Sequence, residues 1–358
     1  MATCTGVPIR LAIPDDLEEI GRLLPQVAGP QFPERFPNRT VAEFCQWKYF
    51  TNPAGDAAVG VAVDGQRVVS LVAGVPKRVK LGSDVVVAFE LGDFITDPAY
   101  RKRGLFSSLI QMVCEESARR GAALAYVRPN ESSFRILTPG LDFIEAQKID
   151  ERRHIVPSGL IQRKTGLPPV VPRALGMDWL ARNFMLPSSP ASVSVEGATR
   201  FGEDMDTLWQ RAREHYSLSL VRDSSYLNWR YVDCPTPYQI WIAHQNARPA
   251  GYVVAFASPT EPIAYLVDLF TLPDDTEAAA GLLRTAMDAL LADGAQLVYT
   301  WTLRSSASSA GHRLLRRACS AAVRPHLHLA MRFLNNGVDA SQLPSERWQL
   351  AAGDFDGI

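Results

Sequence analysis

The sequence predicts two tandem copies of one α/β domain. Three observations carry that expectation: strand-like and helix-like patterns alternate along the chain, three segments recur in the same order, and a proline-rich stretch separates the two sets. Trp47-Lys48-Tyr49, followed by Pro53, returns as Trp229-Arg230-Tyr231 followed by Pro235. Leu91-Gly92-Asp93-Phe94-Ile95-Thr96-Asp97-Pro98 returns as Leu266-Val267-Asp268-Leu269-Phe270-Thr271-Leu272-Pro273. Gly121-Ala122-Ala123-Leu124-Ala125-Tyr126 returns as Gly294-Ala295-Gln296-Leu297-Val298-Tyr299. The offsets drift only from 182 to 175 to 173 residues, as loop insertions and deletions would produce.

Within the first copy, Ile9, Leu11 and Ile13 predict a short strand, and Leu17, Ile20, Leu23 and Leu24 an amphipathic helix. Residues 58–63 and 68–75 read as strands joined at Asp64-Gly65, a hairpin turn signal. A third strand runs from Val85 to Thr96, a helix from Leu105 to Arg120 stops at Gly121, and Ala122 to Val127 is a buried strand. The expected boundaries are 1–150 for the first domain, 151–192 for a connector, 193–334 for the second domain and 335–358 for a tail. The connector carries Pro157, Pro168, Pro169, Pro172, Pro187 and Pro190, with one helix expected near Arg173–Phe184.

Composition narrows the function classes. With 358 residues, 47% hydrophobic, 21% charged and a net charge of -1, the chain has a globular balance and no excess charge to draw it to nucleic acid or an acidic membrane. The five cysteines lie far apart without a CxxC pair, so neither a zinc site nor a disulfide framework is expected. His326 and His328 stand two apart on a strand-like segment with no third ligand, and no metal is expected. Reduced cysteines, no signal-like start in residues 1–10 and no apolar run of roughly 18–20 residues lead us to expect a cytoplasmic protein without a membrane span.

Chemistry concentrates after the strand that ends at Thr96. Asp97-Pro98-Ala99-Tyr100-Arg101-Lys102-Arg103-Gly104-Leu105-Phe106 forms a basic turn that opens directly into a helix. Amide groups at such a helix start converge on one point and carry partial positive charge, which suits a pyrophosphate. Gly104 keeps a side chain out of the approach, and Arg101, Lys102 and Arg103 add positive charge.

These residues resemble the signature of the GCN5-related N-acetyltransferases, Arg/Gln-x-x-Gly-x-Gly/Ala between a strand and a helix. Arg101-Lys102-Arg103-Gly104 fits its first four positions. Phe106 stands where the last small residue is usual, and Leu105-Phe106-Ser107 resembles a variant of that superfamily. The resemblance spans residues 9–145, and residues 193–334 resemble the same fold. It implies two domains, each a mixed, mainly antiparallel sheet flanked by helices, with acetyl-CoA or another acyl-CoA as co-substrate. It further implies that Phe94, Ile95 and Thr96 meet the pantetheine arm and that Asn130, which the pattern makes a helix cap, touches the cofactor. Glu90 matches the catalytic glutamate of the histone-modifying branch, and Asp93 is the second candidate base. Strand periodicity puts these two on opposite faces unless a bulge intervenes. In the second copy Asp274-Asp275-Thr276-Glu277 replaces the basic turn, so that copy is expected to have lost the coenzyme. The paired Trp47/Trp229 motifs are expected to pack within the fold.

The reading that follows is transfer of an acetyl or short acyl group to an amine, most simply a small-molecule acceptor, by direct attack on the thioester. An acyl carrier protein as donor, or a non-enzymatic acyl-CoA sensor, are the alternatives.

Overall fold

The computed structural model describes residues 2–4, 6–29, 32, 36, 39–165, 176–304, 309–335 and 344–355. Pro168, Pro169, Pro172, the start of the helix expected at Arg173 and the side chain of His326 lie outside the described residues. In chain order the first part holds strands β1 (Ala2–Cys4) and β2 (Val7–Leu11), helices α1 (Leu17–Ala28) and α2 (Val41–Phe50), and strands β3 (Ala58–Asp64), β4 (Arg67–Leu81) and β5 (Asp84–Thr96). Helix α3 (Leu105–Arg119), β6 (Leu124–Val127), α4 (Glu131–Gly140) and β7 (Ile144–Ile155) follow. Then come α5 (Pro157–Thr165), α6 (Met177–Met185), β8 (Ser194–Gly197), α7 (Asp204–Ala212), β9 (Leu218–Leu220) and α8 (Ser224–Tyr231). The chain continues through β10 (Gln239–Gln245), β11 (Arg248–Ala257), β12 (Ile263–Thr271), α9 (Thr276–Ala292), β13 (Leu297–Leu303), α10 (Ala310–Ala318), β14 (Ala321–Phe333) and β15 (Trp348–Gln349).

These elements form two units. The first comprises Met1–Gln147, Ser225–Pro237 and His328–Leu343; the second comprises Lys148–Ser224, Tyr238–Leu327 and Pro344–Ile358. Each is a mixed, mainly antiparallel sheet flanked by helices.

In the first unit the strands run β1-β2-β3-β4-β5-β6 and then the end of β14. β5 and β6 run parallel. The β3–β4 hairpin turns at Gly65, whose φ of 61° is the left-handed geometry that a two-residue turn requires. Helix α3 packs Leu105, Leu109 and Val113 onto Phe89 and Leu91 of β5. It comes so close that a Cβ on Gly74 of β4 would sit 2.7 Å from Val113. On the opposite face of the sheet, α2 and α8 meet through Trp47 and Trp229. The two indoles stack at 5.0 Å, and each ring N–H donates to the other's backbone carbonyl, at 2.8 and 3.3 Å. The repeated aromatic motifs are therefore packing elements, as expected.

In the second unit the order is β8-β10-β11-β12-β13-β7, with β12 and β13 parallel. Helix α9 buries Leu282, Leu283, Ala286, Met287 and Leu290 against Val253, Leu266 and Leu269. Its apolar positions recur at helical spacing, so this face is fixed by sequence.

Candidate functional site

The parallel ladder of β5 and β6 is short. It runs from Ala88 opposite Leu124 to Glu90 opposite Tyr126, whereas β5 continues to Thr96 along β4. Beyond Glu90 the two strands fork, and Phe94, Ile95 and Thr96 line one prong. All three are half-buried. Phe94 turns to the α3 side, edge-on to Phe106 at 5.2 Å. That contact gives a local reason for the large residue at position 106: it closes the gap between the helix start and the forked strand. Thr96 shares a hydroxyl contact of 2.8 Å with Ser70.

The fork leads into the basic turn. Arg101, Lys102, Arg103 and Gly104 are all exposed. Arg101 Nε donates to the Thr96 carbonyl at 3.3 Å, and Arg103 donates to the Ala99 carbonyl at 3.1 Å while lying 4.8 Å over the Tyr100 ring. Lys102 and Gly104 have φ of 61° and 75°. Glycine answers the left-handed backbone angle at position 104, which a side chain would strain. Gly104 is also the N-cap of α3, and no side chain caps it. The first amides of α3, from Leu105 through Phe106 and Ser107, thus lack a side-chain cap beside three cations.

Glu90 and Asp93 lie on one face of the sheet. The register shifts where Leu71 pairs with Ile95 but Ala73 with Gly92, a β-bulge in β5, and Asp93 sits in it with φ of 50°. The extra residue cancels the alternation, so both carboxylates point away from α3 and toward α2 and α8. Asp93 Oδ2 accepts from Lys48 Nζ at 2.6 Å and from Tyr49 Oη at 2.7 Å. Glu90 is only 3% exposed, with Lys77 Nζ at 3.5 Å. Lys77 itself lies 4.7 Å over the Trp229 ring. Asn130 caps α4, accepting from the Ser133 amide at 2.9 Å, as its sequence context predicts.

Sequence reasoning singled out Trp47-Lys48-Tyr49 as packing and so missed that Lys48 and Tyr49 hold Asp93. Lys77 carried no signal, because its partner lies on a neighbouring strand and not along the chain. Burial pushes the thiols of Cys45 and Cys319 up to about 12 and that of Cys114 up to about 11, so these are neutral at physiological pH. Among the described residues there is no group of three or more His, Cys, Asp or Glu that could hold a metal ion, and no helix long and apolar enough to cross a membrane.

The second unit repeats the fork with different contents. Its parallel ladder ends at Tyr265 opposite Tyr299, the rung equivalent to Glu90 opposite Tyr126. The following helix, α9, is capped by Asp275, which accepts from the Ala278 amide at 2.9 Å. Gly281 lies inside α9, not at its start.

Residues 8–137 match the family model described as an acetyltransferase (GNAT) domain. No curated protein matches the chain in sequence. Among solved structures it is similar to a GCN5-related N-acetyltransferase from Anabaena variabilis, at 15% identity and a TM-score of 0.62, over 92% of this chain and 73% of that one. It is similar to an Enterococcus faecalis protein described as a probable N-acyltransferase, at 12% identity and a TM-score of 0.62, over the same shares. A Saccharomyces cerevisiae N-myristoyltransferase with bound myristoyl-CoA aligns over 93% of this chain and 84% of its own, at 12% identity and a TM-score of 0.62. At these identities the likeness is one of fold. The chain thus carries an acetyltransferase (GNAT) domain match over residues 8–137 and shares its fold with these acyltransferases.

Proposed function

We propose that the chain transfers an acetyl or other short acyl group from coenzyme A to an amine, at the fork of its first unit. The observation that carries this reading is the junction of three features: a strand pair that parts after Glu90, a basic turn of exposed cations, and a helix start without a side-chain cap. A pyrophosphate would lie on the α3 amides beside Arg101, Lys102 and Arg103, with Leu105, Phe106 and Ser107 supplying the backbone. The pantetheine arm would then follow Phe94, Ile95 and Thr96, with Asn130 at the end of the other prong.

The amine attacks the thioester carbonyl carbon. The N–C bond forms, the C–S bond breaks, and the amine must surrender a proton to a base. Glu90 stands at the apex of the fork on the face away from α3, and we assign it that role, directly or through a water. Its counterpart in the second unit is Tyr265, so this carboxylate belongs to the first unit alone. Asp93 has a counterpart, Asp268, and is already engaged by Lys48 and Tyr49; it holds the bulge and is the second candidate. The departing thiolate is a weak enough base to leave without an acid of its own. Cys45, Cys114 and Cys319 are buried thiols that stay neutral, so none of these three is poised to take the acyl group.

The test is thiol release from acetyl-CoA in the presence of a panel of amines, with mass spectrometry of the products. Acetylated amine formed in step with free thiol supports the reading. Acyl-CoA binding without turnover on any amine favours a sensor, and turnover only with an acyl carrier protein donor moves the donor.

A further inference from the structure

The fork of the second unit is filled by the chain itself. Gln349, Leu350 and Ala351 line one small cavity together with Leu266 to Leu269 of β12 and Thr300 to Thr302 of β13, and residues 352–354 pack against both strands. Only about 30 Å³ remains there, space on the scale of one water molecule. Thr300 Oγ1 also bridges the apex by donating to the Leu266 carbonyl at 3.1 Å.

The segment is anchored along its length. Trp348 and Gln349 form β15, pairing in parallel with Leu218 and Ser219 of β9. Arg347 donates to the carbonyls of His215 and Glu214, at 2.9 and 2.8 Å. Asp354, with no exposed surface, accepts from Arg222 at 2.7 Å and from the Ala351 amide at 2.8 Å. Arg222 in turn lies 3.5 Å from Asp268, the counterpart of Asp93, which also accepts from Tyr252 at 2.9 Å. Phe355 closes the end of the run with its ring 6.0 Å from Trp301.

We infer that residues 348–355 are a resident peptide ligand of the second fork. They supply the packing and polar partners that two diverging strands would otherwise lack, and they exclude any extended ligand from that cleft. Asp268 has been recruited for this purpose. Where Asp93 holds a bulge through a lysine on α2, Asp268 holds the arginine that grips the segment. The inference does not depend on what the first fork binds.

The experiment measures amide hydrogen exchange, segment by segment, in a chain ending at residue 343 and in full-length Leu350→Asp, which puts a charge where Leu350 is 7% exposed. Leu350→Met serves as the conservative control. Exchange in residues 266–269 and 300–302 should rise by at least about tenfold in the first two, a change of about 1.4 kcal/mol in local opening, and stay at wild-type level in the control. A synthetic peptide of residues 344–355 added to the shortened chain should restore protection. If the shortened chain does not fold, Leu350→Asp alone carries the test. Wild-type exchange at these strands in Leu350→Asp, or a folded shortened chain that the peptide leaves unchanged, would overturn the inference. Neither readout involves acyl-CoA, so failure of the acyl-transfer reading leaves this one standing.

Discussion

The two forks differ at three points, and the differences teach that one strand-fork geometry accommodates unrelated contents. At the apex, Glu90 in the first corresponds to Tyr265 in the second, where the ring stacks on Tyr299 at 5.6 Å. At the helix start, α3 has glycine and cations, whereas α9 has Asp275 on the amides that a phosphate would need. At the prongs, residues 349–351 share a small cavity with the second fork. On the proposed acyl transfer, each change would remove one requirement: the base, the anion cradle and the space. A bulge with an aspartate beside it recurs in both, but Asp93 sits in its bulge and is held by Lys48 and Tyr49, whereas Asp268 pairs with Val254 and holds Arg222 and Tyr252.

The largest expected effect is at the apex. Glu90→Gln should lower kcat by roughly 10²–10⁴-fold with little change in acyl-CoA affinity. Because it leaves Lys77 buried beside a neutral group, the variant should be paired with Lys77→Met, which restores charge balance. A double variant with full activity would put the base elsewhere, with Asp93 next in line.

At the helix starts, replacing Arg101 and Arg103 together by Glu should weaken acyl-CoA binding on the order of 10²-fold or more, since two charge-assisted contacts become repulsive. Calorimetric titration of wild-type chain should give one site per chain. Unchanged affinity in the variant, or a stoichiometry of two, would erase the contrast between α3 and α9.

The second fork should also be sensitive to acid. His312, which lines it, is buried and flanked by Arg316 and Arg152, and its pKa falls from 6.5 to about 4. The unfolded chain therefore takes up this proton first. The contribution is fully favourable above pH 6.5, is lost as pH drops from 6.5 to 4, and changes no further below that, for a total of about 3 kcal/mol at most. His312→Gln should flatten the melting temperature over that window, whereas equal slopes for variant and wild type would remove His312 as the cause. The smallest effect is Asp275→Ala, which should cost about 1 kcal/mol by uncapping α9. It should not create a second acyl-CoA site, since the fork stays filled, and calorimetry would detect one.

Much of this was written into the chain. Helices α3 and α9 could be placed from apolar spacing, and the cap at Asn130 and the turn at Gly65 from residue type, because each depends on neighbours a few positions apart. The repeated segments announced two similar domains, and the acidic stretch at Asp274 marked the one whose helix start carries an aspartate cap in place of a basic turn. The basic turn and its glycine were legible for the same reason: a strand end, cations and a helix start are adjacent in sequence.

Tertiary structure alone decided which groups meet across the sheet. A bulge is one residue of register, invisible in a period-2 pattern, yet it moves Asp93 to the face of Glu90. The partners of these carboxylates, Lys48, Tyr49 and Lys77, come from a helix and a neighbouring strand, and ion pairs between distant segments leave no periodic trace. The segment after β14 is the clearest case. Its residues are apolar and acidic in no regular order, and only the path of the folded chain brings Leu350 to the cavity that β12 and β13 line and Asp354 to Arg222.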